Sequence, residues 1–213
     1  MVLTKHEVRE RLARGDLAFT PALDSFQLHD HVVDLRLGFT FLIPKQWRLT
    51  EKGRETITIT HFNKPGLQYF DVVELEEGQY FELLPHEYVI VSTLEKMKIP
   101  NDLMGILYPR SSTNRKGLSL DLTGVIDCGY EGTLALPVRN NTSAQVVRLY
   151  PGERICQIAF EELKQEIRAP RKHKYHRKDL VEGVGKEKEA EAALILKGKI
   201  NTLKEKYKLP ERQ

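Results

Sequence analysis

The chain opens with apolar positions at helical spacing. Val8, Leu12 and Ala13 share one face of a segment that begins at Thr4. Glu7 follows Thr4 by three residues, the spacing of a capping box, and Gly15 supplies a stop. A short N-terminal helix is predicted. The period then changes: Val32-Val33-Asp34-Leu35-Arg36-Leu37-Gly38 partly alternates apolar and polar side chains, as a half-buried strand does. From about residue 40 to 163 short β runs recur, among them Thr56 to Ile59, Tyr88 to Val91, Leu134 to Leu136 and Ile155 to Phe160. Gly, Pro and Asn punctuate them. Short strands at even spacing predict a mainly β sandwich or barrel, with helix confined to the two ends.

The last fifty residues differ. Residues 168–185 are basic, with glycines at 183 and 185, and residues 186–208 are helical in pattern. Ala193, Leu196, Ile200, Leu203 and Tyr207 fall at alternating spacings of three and four. This seam is too short for a coiled coil and would pack on the chain's own body or join subunits. The division expected is therefore a β domain over 1–167, a basic linker or closing segment over 168–185, and a helical tail over 186–213.

Composition narrows the class. The 213 residues are 40% hydrophobic and 30% charged, ordinary proportions for a globular chain. No apolar run approaches the roughly 20 residues of a membrane span. The charged opening has no signal-peptide core, so a cytoplasmic protein is expected. Cys128 and Cys156 form no Cys-x-x-Cys pair and are expected as reduced thiols. Nor is there the His/Cys/Cys cluster with a neighbouring Glu that zinc deaminases need. The net charge of +3 is too small to imply nucleic acid. From Lys164 to Gln213, however, basic residues outnumber acidic ones 15 to 8. His29, His31, His173 and His176 are expected as surface histidines.

Three stretches carry candidate chemistry. In Pro109-Arg110-Ser111-Ser112 an Arg stands beside two hydroxyls, a set able to hold phosphate oxygens. In Gly124-Val125-Ile126-Asp127-Cys128-Gly129-Tyr130-Glu131-Gly132 an Asp follows an apolar pair at a turn, a position suited to a general base. Pro151-Gly152-Glu153-Arg154-Ile155-Cys156-Gln157 is a turn entering a strand that carries a Gln. Singly, each also reads as an ordinary surface or turn. In this order and spacing they resemble successive motifs of the dUTPase and dCTP deaminase family. Asp34 to Gly38, Leu75 to Pro85, Ile99 to Gly105 and the N-terminal helix resemble the deaminase branch, so the similarity runs from roughly residue 1 to 163.

The resemblance implies a dUTPase-like β-clip or jelly-roll-like barrel, a homotrimer with sites between subunits, and a deoxypyrimidine triphosphate substrate. By position it implies that Arg110, Ser111 and Ser112 contact phosphates and that Gln157 helps hold the nucleotide. Asp127 would orient a water, and Tyr130 would pack on the deoxyribose. Arg115 would stand with Ser111 at the reacting water. Lys174 and Tyr175 would reach the substrate from the tail. Magnesium would ride on the triphosphate, with Asp34 acting through water.

Both deamination and pyrophosphate release occur in that family. Deaminases carry a proton-shuttling Glu at the position occupied here by Pro137. Pro109 and the interval from Arg110 to Asp127, one residue short of the deaminase pattern, match dUTPases. The expected activity is accordingly hydrolysis of dUTP to dUMP and pyrophosphate. The alternatives are dCTP deamination, with a carboxylate such as Glu131 recruited, and a nucleotide-binding regulator without catalysis.

Overall fold

The computed structural model describes residues 1–58, 69–121, 124–168 and 189–208. Helix α1 is Lys5–Arg14, followed by strands β1 (Ala18–Thr20), β2 (Val33–Pro44), β3 (Trp47–Thr50) and β4 (Gly53–Thr56). Then come β5 (Phe70–Glu74), β6 (Phe81–Leu83), β7 (Tyr88–Thr93), β8 (Lys96–Lys98) and β9 (Leu103–Pro109). The helical turn α2 (Ser111–Arg115) leads to β10 (Leu118–Leu120), β11 (Val125–Ile126), β12 (Glu131–Gly132) and β13 (Ala135–Asn140). The series ends with β14 (Val147–Leu149), β15 (Arg154–Glu162), α3 (Glu189–Leu196) and α4 (Ile200–Lys206). The fold is mainly β, with a short N-terminal helix and C-terminal helices, as the pattern predicts.

The start of α1 is built as its residues dictate. Thr4 accepts from the Glu7 amide while the Glu7 carboxylate accepts from the Thr4 amide, and Gly15 ends the helix at φ 74°. Arg11 then anchors the helix, at 2.8 Å from Asp16, 2.6 Å from Asp102 and 3.4 Å from Glu162.

The main sheet runs β10-β13-β7-β2-β15-β9-β11, with β5 also on β2. Twelve-residue β2 is its spine, pairing β15 through its first half and β7 and β5 through its second. Leu35, Leu37, Phe41, Val89, Val91, Leu136, Val138, Ile158 and Phe160 fill the core, and the Phe41 and Phe81 rings stack at 4.8 Å. Gly38 lies where β2 crosses β7; a Cβ there would come 2.9 Å from the Thr93 carbonyl oxygen and collide with the Ser92 hydroxyl.

Two expected elements differ. Of the run Thr56 to Ile59, Thr56 closes β4, whose residues are all exposed, Ile57 and Thr58 follow outside any strand, and Ile59 lies outside the described residues. The tail is helical as expected, but over the described residues 189–208 it forms two helices rather than a continuous seam. Gly198, at φ 66°, sends its amide to Ile195 O while Lys199 sends its own to Leu194 O, which ends α3 before α4 begins. The expected seam is broken with it, and Leu196, Ile200 and Tyr207 are exposed. The linker 169–185, with His173, Lys174, Tyr175 and His176, lies outside the described residues.

Pro137 sits inside the sheet rather than at its edge, since β13 lies between β10 and β7. It faces Ile90 on one side and accepts from the Asp121 amide on the other. A proline cannot return the second hydrogen bond of that pair. β10 ends at Leu120, so the missing donor falls where the ladder closes.

Candidate active site

The side chains expected at the phosphates gather where β9 ends. Arg110 follows Pro109, which pairs with Cys156 of β15; Gln157 pairs with both Tyr108 and Asp34. Opposed residues of antiparallel strands share a face. Asp34, Gln157 and Tyr108 therefore lie in one row across β2, β15 and β9, and Arg110 reaches back into that row.

Asp34 is the centre of this group. It is 1% exposed, and its Oδ2 lies 3.0 Å from Arg110 Nε, 3.2 Å from Arg154 Nη1 and 3.1 Å from His29 Nε2. Arg110 Nη1 also donates to the Arg154 carbonyl at 3.0 Å, and Arg154 Nη1 donates to the Phe26 carbonyl at 2.7 Å. The backbone makes this possible. The register of β15 shifts between Arg154 and Cys156, a bulge that re-aims the Arg154 side chain toward Asp34. Below lies Gln27, which donates to the Asp34 carbonyl at 2.9 Å and to the Glu95 carboxylate at 2.7 Å. Glu95 is 1% exposed, and burial pushes its carboxyl above the usual glutamate value despite donation from Gln27 and the Arg36 amide.

Ser111, Ser112 and Arg115 are exposed on α2. Thr113, buried between them, donates to the Ile155 carbonyl at 3.0 Å and fixes that turn to β15. The chain thus presents two hydroxyls and two guanidiniums around a rigid support, a donor set able to bind phosphate oxygens.

Asp127 and Tyr130 belong to another place. Ile126 pairs with Gly105, which puts Asp127 beside the opposite end of β9 from Arg110. Six strand residues separate the two levels, about 20 Å at the usual rise. A single chain therefore does not bring Asp127 together with Arg110. Asp127 is exposed at its turn. Tyr130 is 8% exposed, and its hydroxyl donates to the Thr133 carbonyl. Burial pushes that phenol up to about 12. Gly132 fits under the ring, where a Cβ would come 2.9 Å from the tyrosine hydroxyl. Cys128 and Cys156 are free and buried, and burial raises both thiols.

The described residues do not fit a resident metal ion. Among the described residues no group of three or more His, Cys, Asp or Glu side chains could hold one. Asp34, expected to act on magnesium through water, is instead enclosed by two guanidiniums and an imidazole. His29 and Arg154 were absent from the expected site. Arg154 stands within the Pro151 to Gln157 motif, so its place was marked; His29 carried no local mark beyond its closeness to Asp34 in sequence.

Comparison with known proteins places the chain in a family. A dCTP deaminase-like family profile matches residues 2–163. The chain is 32% identical over 176 residues to a "dCTP deaminase, dUMP-forming" of Methanobrevibacter smithii, covering 81% of this chain and 86% of that protein. It is 36% identical over 172 residues to one of the same name from Dictyoglomus thermophilum (80% and 84%). To a dCTP deaminase of Natronomonas pharaonis it is 37% identical over 174 residues (80% and 85%). In structure it resembles the 2'-deoxycytidine 5'-triphosphate deaminase of Agrobacterium tumefaciens, with a TM-score of 0.57 at 23% identity. That match covers 75% of this chain and about half, 48%, of the other, and it shows the fold. These relatives overturn the expectation of a dUTP diphosphatase, which rested on Pro109, Pro137 and one missing hairpin residue against similarity along four fifths of the chain. The chain belongs to the dCTP deaminase-like family.

Proposed function

We propose that this protein binds dCTP and deaminates its cytosine by hydrolysis. The observation that carries the reading is the anchored Arg110, held on buried Asp34 beside exposed Ser111 and Ser112, in a chain similar over most of its length to proteins named dCTP deaminases. Arg110, Ser111 and Ser112 bind the phosphates in this reading, with Gln157 contacting the nucleotide. Arg115 and Ser111 position the water. Asp127 and Tyr130 serve the sugar.

The separation of Arg110 from Asp127 along β9 favours a site completed between copies of the chain, as in a homotrimer. Magnesium belongs to the triphosphate in this reading, partly hydrated, and no step is assigned to it. Lys174 and Tyr175 are proposed to close over the substrate from the linker.

Pro137 favours a second reading, a nucleotide-binding regulator without turnover, because proline carries no proton. One assay separates the two. The protein is incubated with dCTP, ammonia is measured, and dUTP and dUMP are resolved by chromatography. Ammonia together with either uracil nucleotide supports deamination. Tight binding of dCTP without ammonia supports the regulator.

A further inference from the structure

The resemblance to deaminases implies a proton-carrying Glu where this chain has Pro137, and the sheet offers a carboxylate directly across from that position. β10 pairs β13 with Leu118 opposite Asn140, Ser119 opposite Arg139 and Leu120 opposite Val138. One step further, the Asp121 amide donates to the Pro137 carbonyl at 3.0 Å. Asp121 and Pro137 are therefore opposed, and opposed side chains project from the same face about 5 Å apart at Cβ. Burial agrees. Leu118, Leu120, Leu136, Val138 and Asn140 point inward, whereas Asp121 is exposed and Pro137 half-buried on the other face. Tyr88 and Ile90 of β7 continue that face, opposite Arg139 and Pro137.

Glu131, Glu95 and Asp127 are placed elsewhere. Glu131 lies on β12 in a separate three-stranded sheet, 3.3 Å from Lys96. Glu95 is buried beneath Asp34. Asp127 stands at the turn beside the far end of β9. The Asp121 charge acts on Tyr88, whose phenol is raised first by burial and then by that carboxylate, with Arg139 opposing.

We infer that Asp121 is a catalytic residue of the deamination, supplying across the β10–β13 ladder the carboxylate that position 137 lacks. The inference rests on the deaminase reading proposed above. The step is balanced as follows. Water oxygen bonds to C4 of cytosine, one water proton passes to Asp121, and Asp121 delivers it to N3. The proton remaining on the new hydroxyl then moves through Asp121 to N4. The C4–N4 bond breaks with its electron pair on nitrogen, releasing ammonia and leaving the C4 carbonyl of uracil. No oxidant or reductant is required.

The test compares the parent protein with Asp121→Asn, Asp121→Glu, and Asp121→Asn combined with Pro137→Glu. Ammonia release from dCTP, dCTP affinity by titration calorimetry and thermal unfolding are measured for each. The expected result for Asp121→Asn is a fall in kcat of about 100-fold or more, the usual weight of a positioned acid–base group, with affinity within about threefold and an unchanged melting temperature. Asp121→Glu retains part of the activity, and Pro137→Glu restores ammonia release to Asp121→Asn. Undiminished kcat in Asp121→Asn overturns the role of Asp121 while leaving the deaminase reading intact. A loss shared by affinity and melting temperature assigns Asp121 a structural part and overturns it equally. A parent protein that releases no ammonia overturns the deaminase reading, and this inference with it.

Discussion

Asp34 and Arg110 meet at 3.0 Å, with the carboxylate fully buried and the guanidinium at the rim of the sheet. The first lies on the spine strand and the second just past the end of β9, 76 residues later in the chain. A buried carboxylate that loses its charge leaves its cations uncompensated. Replacing Asp34 by Asn is expected to cost about 3 kcal/mol, the low end for a buried pair, because both guanidiniums keep some contact with water. Urea unfolding checks this: the midpoint should fall with an unchanged slope. Arg110→Lys should weaken triphosphate binding more than it weakens the fold, because an ammonium cannot reproduce the guanidinium's several fixed donors.

Glu95 makes the stability depend on pH. Burial raises its carboxyl pKa in the folded protein above that of an ordinary glutamate. The folded state therefore holds the proton more tightly than the unfolded state. This contribution to stability is complete below the unfolded value and is lost as pH rises through the folded one. Glu95→Gln is expected to flatten that part of the profile. It should also lower stability by about 1–3 kcal/mol, because Gln27 and the Arg36 amide both donate to the carboxylate and a single amide oxygen replaces two. Chemical denaturation at pH 4 and pH 7 measures both effects.

Gly38 and Gly105 should tolerate alanine unequally. At Gly105 the new methyl would come 2.5 Å from Ile158 Cδ1, the end of a side chain that can turn. At Gly38 it would meet the Thr93 carbonyl oxygen, which is backbone. Gly105→Ala is expected to destabilise by about 1–3 kcal/mol and to recover when Ile158 is shortened to Val. Gly38→Ala should destabilise more, with only partial recovery in Ser92→Ala, which removes the hydroxyl clash but leaves the backbone one. Thermal unfolding of the single and paired variants is the measurement.

Tyr130→Phe removes the hydrogen bond to the Thr133 carbonyl and keeps the ring. A loss of about 0.5–1.5 kcal/mol in stability is expected, with dCTP affinity unchanged. A loss of affinity without a loss of stability would place the hydroxyl on the ligand instead.

Much of the molecule could be read from local residues. The capping box at Thr4 and Glu7, the stop at Gly15 and the runs around β2, β7, β13 and β15 each depend on neighbours a few positions away, which a sequence displays directly. The motifs at Asp34, Arg110, Asp127 and Gln157 marked the family for the same reason. The choice of reaction went astray because it weighted three local departures above the similarity of the whole chain. The tail is helical as its pattern predicts, but a seam counted by spacing did not show the break that Gly198 makes in it.

The sequence by itself determined the short N-terminal helix, the β-rich body and the family, because helix caps, strand periodicity and motif order are written over short stretches. Only the tertiary structure decided that Asp34 grips Arg110, Arg154 and His29, that Asp127 stands away from them, and that Asp121 lies opposite Pro137. Those relations follow from strand pairing, which joins residues far apart in the chain. A register shift of one residue, such as the bulge at Arg154, changes which side chains share a face.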